Sequence, residues 1–459
     1  MDTNNLKKIP KRGFFESINA LRDIFGTLTA APQTHPEIFI TGIAGLKQLY
    51  VINHPALAQH VLQKNYTNYS KAAGYEVLAL LLGKGLLTNE GDNWHKQRTL
   101  IQPAFHRDTL KKIGQIVVAS TNQMLVEWKE KEGQQINLTK EMAGLTIDIV
   151  ARSLFTADIA PQQIQTIWKN VNFLNEAADK MLRSPLALPY SVPTPLHIKM
   201  RKAIGELNDI VYEIINKRIH EKNPPLDLLQ LLLECRYENT GEGMDKEQIR
   251  DEVMTIFLAG HETTVNALSW TWFLLKQNEN AEHLLKKESL GIALNGQLGF
   301  EDTQKMPYGK NVVNESMRMY PPVPIVGRLA LNDDIVGNYK LPKGAEVGIN
   351  ITGIHHHADY WEEPYAFKPE RFDNFDLKGA NRFVFLPFGG GPRICIGNNF
   401  AMMEMQLINA MIAAHVEMEL VEKNVTPIAL ITLKPGNGVI VKLHKVTPAK
   451  SSHGGVLAT

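Results

Sequence analysis

Two cysteines, Cys235 and Cys395, are all that this chain of 459 residues contains. So small a number leaves no disulfide framework, no multi-cysteine zinc site and no set of thiols to hold an iron–sulfur cluster. It fits a reducing compartment, and a cytoplasmic location is expected. Net charge is nearly absent as well: 49 Lys and Arg stand against 48 Asp and Glu, a formal +1. That balance argues against a nucleic-acid or membrane-surface binder, for which a dominant charge of one sign is the usual attractor. The N-terminus, MDTNNLKKIPKRGFFESINALRDIF, has no continuous apolar run, so it reads as neither a signal peptide nor a membrane anchor. Val253 to Leu275 is long and apolar enough to suggest a span, but Gly260, His261, Glu262, Thr263, Thr264 and Asn266 interrupt its middle. A buried helix carrying a polar site is the better reading.

What is present is organised without internal repeats. Near the N-terminus, EIFITGI and KQLYVIN have strand-like content around Ala44-Gly45, and His54-Pro55 opens a predicted helix, ALAQHVLQK. From about Asn93 to Leu290 helical patterns dominate. Residues 184 to 196, SPLALPYSVPTPL, carry four prolines and predict a loop between two helices. Strand-like pieces return after Pro321, and ITLKPGNGVIVKL predicts a hairpin turning at Pro435-Gly436-Asn437-Gly438. Residues 448 to 459 are small and polar enough for a loose tail.

The most informative stretch is FGGGPRICIG, Phe388 to Gly397. The run after it, NNFAMMEMQLINAMIAAH, lacks Gly and Pro and spaces its apolar residues as a helix does, so Cys395 is expected at a helix N-terminus. Unsatisfied N–H groups there favour a thiolate, and thus a metal ligand. The glycines would let the backbone pass close to something flat, and Arg393 could pair with an anionic substituent on it. The object so described is haem. Taken alone, a cysteine is more often a small buried hydrophobe.

The full pattern, Phe388, Gly391, Arg393, Cys395 and Gly397, with Phe400-Ala401 continuing into the helix, resembles the haem-binding loop of the cytochrome P450 family, the haem-thiolate monooxygenases. Within the long helix, Ala259-Gly260-His261-Glu262-Thr263-Thr264 is similar to that family's oxygen-activation segment. Thr263 can bond the carbonyl of Ala259, four residues back, and open the helix locally, while Glu262 supplies a titratable group for proton movement. A buried helix with satisfied polar residues is the alternative at these positions.

Trp94 and Arg98 match a Trp-x-x-x-Arg signature, although by itself this could be a plain cation–π pair. The resemblance implies that both contact haem propionates, joined by Arg328 and Arg393, giving three guanidinium groups for two carboxylates. It also implies that Glu315 and Arg318 join Arg371, in FKPERF, as a buried structural triad. His355-His356-His357 is expected on a strand, where neighbours alternate faces and cannot converge on one metal.

Taken together, the resemblance implies one mostly helical domain over residues 1–459 with small β-sheets, and haem b held by Cys395 between the long oxygen-activation helix and the cysteine helix. It implies insertion of one atom of O2 into an apolar small molecule of fatty-acid, terpenoid, steroid or macrolide type. Electrons would come from a separate ferredoxin or flavodoxin with its reductase, because no flavin or cluster domain is visible. Lys96, Arg107, Lys111 and Lys112 are a candidate docking patch, or simply a solvated face. The alternatives are a peroxide-driven hydroxylase, which needs no acid–threonine pair, and a haem gas sensor, which needs no proton relay.

Overall fold

A computed structural model describes residues 6–447 apart from 14–15, 18–19, 21, 43–47, 73, 156–159, 184–187, 226, 238–240 and 294–297. Ala44-Gly45, the first part of the proline-rich break and the 448–459 tail therefore lie outside the described residues.

Helices build the framework. In Arg107–Lys129 the buried side chains Leu110, Ile113, Val117, Thr121, Met124, Leu125 and Trp128 recur three or four positions apart, which gives one apolar stripe. The helix Lys246–Leu275 is different. Asp245 caps it by accepting from the Gln248 amide at 2.7 Å, and every residue from Thr264 to Leu275 is buried. A helix apolar on all sides belongs at the centre of a fold. It packs against Leu138–Phe155, Pro195–Ile219, Pro307–Met319 and Asn398–His415. No helix among the described residues is long and apolar enough to cross a membrane.

A five-stranded sheet runs in the order Ile38–Thr41, Leu49–Ile52, Glu346–Asn350, Ile325–Ala330, Tyr69–Lys71. All its neighbours are antiparallel except Leu49–Ile52 with Glu346–Asn350. Its last pairing sets Lys71 opposite Arg328. As expected, Pro55–Gln59 is helical, with His54 as its cap, and a helix resumes at Pro195 after the proline-rich break.

Two local expectations fail. Leu433–Pro435 and Ile440–Val446 do not pair across Pro435-Gly436-Asn437-Gly438. Leu433–Pro435 pairs backward with Pro427–Ala429, while Ile440–Val446 joins Gln135–Asn137 and Val416–Leu420 in a three-stranded sheet. The turn residues do reverse the chain, but partners elsewhere claim both arms. His355-His356-His357 is also not on a strand. His355 ends the short helix Ile351–His355, and each ring is buried and bonded separately: His355 Nε2 accepts from the Leu386 amide, His356 Nδ1 meets the Thr352 carbonyl, and His357 Nε2 meets the Pro36 carbonyl.

Below the cysteine loop lies the carboxylate–guanidinium triad. Glu315 takes Arg318 Nε at 2.7 Å and Nη2 at 2.9 Å, Arg371 Nε at 2.9 Å and the Lys368 amide at 2.9 Å. Arg318 spends its remaining donors on the carbonyls of His355, Pro364 and Ala366. The three charges thus tie the helix Pro307–Met319 to the segment that leads into the Phe388 loop.

Candidate active site

The loop before the cysteine is shaped by chain crowding as much as by any ligand. Gly391 has φ +70°, and a side chain there would collide with the Leu62 carbonyl. Gly390 is closed off by Phe383, whereas Gly389, at φ +74°, has open space beside it. Only Gly389 therefore fits the expectation of a glycine kept small for a close approach from outside the chain; Gly391 is needed for the turn itself. The Cys395 amide donates to the Phe388 carbonyl at 3.0 Å, closing the loop, and the helix Asn398–His415 starts three residues on with Gly397 as its cap.

Cys395 is enclosed by protein, yet its side chain is exposed, so it points into a cleft and not into packed side chains. Enclosure raises the thiol pKa, against which the Gly397 amide and the Arg98 charge both favour the thiolate. Cys235 is unlike it: its thiol donates to the Leu100 carbonyl at 3.0 Å. Ala401 and Phe388 are half-buried near this loop.

Cationic side chains gather at one end of the site. Arg98, on the helix Gly91–Ile101, donates through Nη1 to the Ile394 carbonyl at 2.9 Å, next to the cysteine. Trp94 is buried, and the guanidinium over its ring, at 4.3 Å, is that of Arg393 and not of Arg98. Arg393 also donates to the Asn89 carbonyl and pairs with Glu90. Arg328 is buried with Nη1 on its neighbour's carbonyl, Gly327. Sequence reasoning missed a fourth cation, Lys71, which donates to the carbonyls of Leu87 and Asn89. Burial and then Arg393 push its pKa down to about 7, with Arg328 adding to this and Glu90 and Glu252 opposing it. The signal that could have found Lys71 is a cross-strand register, which no local motif encodes.

On the long helix, Thr263 Oγ1 donates to the Ala259 carbonyl at 2.6 Å, the bond that its spacing predicts, and Thr264 Oγ1 does the same to Gly260 at 2.9 Å. The helix nevertheless stays α-helical throughout, so the expected local opening is absent. Ala259 is exposed in the middle of this otherwise buried helix, and Gly260, Glu262 and Thr263 are partly so. Glu262 is fixed by two donors: Asn175 Nδ2 at 2.6 Å and Thr432 Oγ1 at 2.9 Å, the latter itself held by Asn266. His261 is buried against Thr146 Oγ1 at 2.8 Å, and burial lowers its pKa to about 4, so it is neutral.

These residues fit haem. An exposed thiol at a helix start suits iron, and four cationic side chains, only one of them paired with a close carboxylate among the described residues, Glu90, suit a pair of propionates. The exposed Ala259–Gly260 turn supplies a surface without side-chain bulk. A separate groove of about 360 Å³ lies between Gln48, Tyr50, Leu329 and residues 342–346 and includes none of these side chains.

Comparison with known proteins agrees. Residues 20–443 match the family model described as Cytochrome P450. The chain is 31% identical to carotene epsilon-monooxygenase of Arabidopsis thaliana over 87% of its own length and 78% of that protein. It is 30% identical to cyclooctatin synthase of Streptomyces melanosporofaciens over 80% of each, and 30% identical to cytokinin hydroxylase of Arabidopsis thaliana over 88% of this chain and 78% of that one. An exposed cysteine in this loop, the cations around it, the threonine–carbonyl bond in the central helix and a match spanning nearly the whole sequence lead to one assignment: the chain belongs to the cytochrome P450 family, oxygen-incorporating oxidoreductases that hold haem through a cysteine thiolate.

Proposed function

We propose that this protein is a monooxygenase that inserts one atom of O2 into an apolar small molecule, with Cys395 as the iron ligand. The observation that carries the reading is an enclosed but exposed thiol with the Arg98 charge acting on it, in a site where Lys71, Arg328 and Arg393 interact with one another. When bound, haem supplies the redox and O2 chemistry, and thiolate ligation favours O–O cleavage. The protein's part is binding, orientation and proton handling. Lys71, Arg328, Arg393 and Arg98 would neutralise its propionates, with Trp94 as the apolar wall that Arg393 stacks on. Phe388, Gly391, Gly397 and Ala401 shape the loop and the helix start around the sulfur.

Thr263 donates its hydroxyl hydrogen to the Ala259 carbonyl, so toward any other group its oxygen can only accept, which suits it to take a hydrogen bond from a water in the cleft. Glu262, one residue earlier, is the proton-holding group. Its carboxyl oxygens accept from Asn175 and Thr432, which fixes the group in place one residue before Thr263. The exposed turn offers Ala259 and Gly260 to a substrate, which suits an apolar one of fatty-acid, terpenoid, steroid or macrolide type. Two of the relatives are named for monooxygenation of carotene and hydroxylation of cytokinin. An acid–threonine pair fixed in this way favours O2-driven chemistry over a peroxide-driven hydroxylase or a gas sensor, neither of which needs proton delivery.

Electrons are assigned to a separate ferredoxin or flavodoxin with its reductase, since one cysteine beyond Cys395 cannot hold a cluster. Of the candidate docking cations, Lys96 and Lys112 are exposed. Arg107 and Lys111 are exposed too but pair with Glu301, which weakens the patch. The test is Cys395→Ser: the thiolate-type spectrum of the ferrous carbon monoxide complex should disappear, together with product formation that depends on NADPH, O2 and redox partners. A variant that keeps that spectrum rules out Cys395 as ligand.

A further inference from the structure

One oxygen of Asp334 takes three hydrogen bonds. His60 Nε2 at 2.9 Å, Asn65 Nδ2 at 3.0 Å and the Tyr69 hydroxyl at 2.6 Å all meet its Oδ2, while Oδ1 accepts from the Ile335 amide at 2.8 Å. A carboxylate only accepts, so His60 Nε2 carries a proton. Burial alone would raise the Asp334 carboxyl, yet the bonds from Tyr69, His60 and Asn65 prevail and hold it below its ordinary range.

Two of these donors frame an uncommon turn. His60–Lys64 is a π-helix, and the bond that closes it runs from the Asn65 amide to the His60 carbonyl at 2.8 Å. Residues five apart on an α-helix point about 140° away from each other around the axis, whereas a turn closed by a bond between residues five apart sets them on one face. A single Asp334 oxygen can therefore hold the His60 and Asn65 side chains together only while this turn is π-helical. The turn carries the buried Leu62, whose carbonyl lies against Gly391 so closely that no side chain fits there. Gly391 opens the short 3-10 turn Gly391–Arg393, which packs on His60–Lys64 and leads through Arg393 to Cys395.

The third donor holds a different element. Tyr69 is buried and starts the strand Tyr69–Lys71, where residues two apart share a face, so fixing Tyr69 fixes where Lys71 points. From this geometry, and resting on the functional reading above, we propose that Asp334 is a positioning residue for the haem site: from the strand Asp334–Val336, one carboxylate keeps the π-helical turn against the cysteine loop and the Lys71 strand in the cation cluster. It acts through these two elements and not on a reacting atom. Without it the turn relaxes toward the commoner α-helix, the Leu62 carbonyl turns away from Gly391, and the strand loses its tether.

The test uses the haem-loaded full chain and separates the two arms. Asn65→Leu releases the turn alone. The thiolate-type band of its ferrous carbon monoxide complex should decay about fivefold faster to a form that has lost the thiolate, the effect of one hydrogen bond, while haem transfer to an acceptor globin stays within about twofold of wild type. Tyr69→Phe releases the strand alone and should do the reverse: transfer about fivefold faster, with band decay within about twofold of wild type. Asp334→Ala should show both effects, each by about tenfold because a charged acceptor is lost, and adding Asn65→Leu to it should change the decay little further. The proposal is overturned if Asp334→Ala merely lowers the unfolding midpoint and leaves both rates as in wild type, or if Asn65→Leu and Tyr69→Phe affect the two rates alike. If Asp334→Ala fails to load haem, those two variants decide the matter by the same criteria. A wild type lacking the thiolate-type carbon monoxide spectrum would overturn the functional reading instead. Hydrogen exchange of the Asn65 amide, faster by about tenfold in Asp334→Ala, would still report whether Asp334 holds the turn, and unchanged exchange would overturn that hold.

Discussion

Replacing Glu315 by Gln tests the framework beneath the cysteine loop. The side chain is fully buried and accepts four hydrogen bonds, three of them from the guanidinium groups of Arg318 and Arg371. Gln preserves volume and one acceptor oxygen, but it removes the charge and turns two acceptor sites into donors that face guanidinium N–H groups. Arg318 cannot escape to water, since its side chain is 0% exposed. Breaking a buried pair on one side costs about 3–5 kcal/mol, and two cations are left here, so the upper part of that range applies. Unfolding entropy of about 2.1 cal/mol/K per residue amounts to roughly 1 kcal/mol/K for this chain, so the midpoint of thermal unfolding should fall by about 4–5 °C. Calorimetry of the haem-loaded protein measures this. The pair Glu315→Leu with Arg318→Met should recover part of the loss, because it removes charges together. A shift below about 1 °C in Glu315→Gln would refute the claim that this triad is an uncompensated buried charge set when broken.

Thr263→Ala should leave haem binding intact while diverting electrons to peroxide or water, with product per NADPH falling by on the order of 100-fold if it acts as a proton-handling group; unchanged coupling would assign that task elsewhere. Lys71→Met should loosen haem without altering the thiolate-type carbon monoxide spectrum. Haem transfer to an acceptor globin should be faster by about tenfold for one charge-assisted bond, and an unchanged rate would remove Lys71 from the propionate set. His261 has a folded pKa of about 4, below its ordinary value of 6.5, so its contribution is present above pH 6.5 and is lost as pH falls toward 4. The stability of wild type relative to His261→Asn should therefore fall by up to about 1.4 kcal/mol per pH unit across that window, and a pH-independent difference would mean that the ring is not held neutral.

Local chemistry makes much of the site legible in the sequence. Thr263 reaches the Ala259 carbonyl because a helix sets four residues as one turn, and Glu315 meets Arg318 because three residues nearly do. Cys395 at a helix start follows from a glycine-rich turn ahead of a run with helical spacing. Such readings succeed where the relevant distance is fixed by one element's own geometry.

Apart from the His355-His356-His357 stretch and the unopened helix at Thr263, the failures and omissions are contacts between elements far apart in the chain. Lys71 enters the cation cluster through its register opposite Arg328, Glu262 is fixed by Asn175 and Thr432, and Arg393 covers the Trp94 ring that helical spacing assigns to Arg98. The predicted hairpin after Leu433 gives way to pairings with other strands, one of them some 300 residues earlier in the chain at Gln135–Asn137. Sequence by itself determined the helices, the loop chemistry and the family, since these rest on spacing and residue type. Only the tertiary structure decided which charges face one another and which donors gather on one carboxylate, Asp334, because burial and pairing depend on which surfaces the packed elements leave in contact.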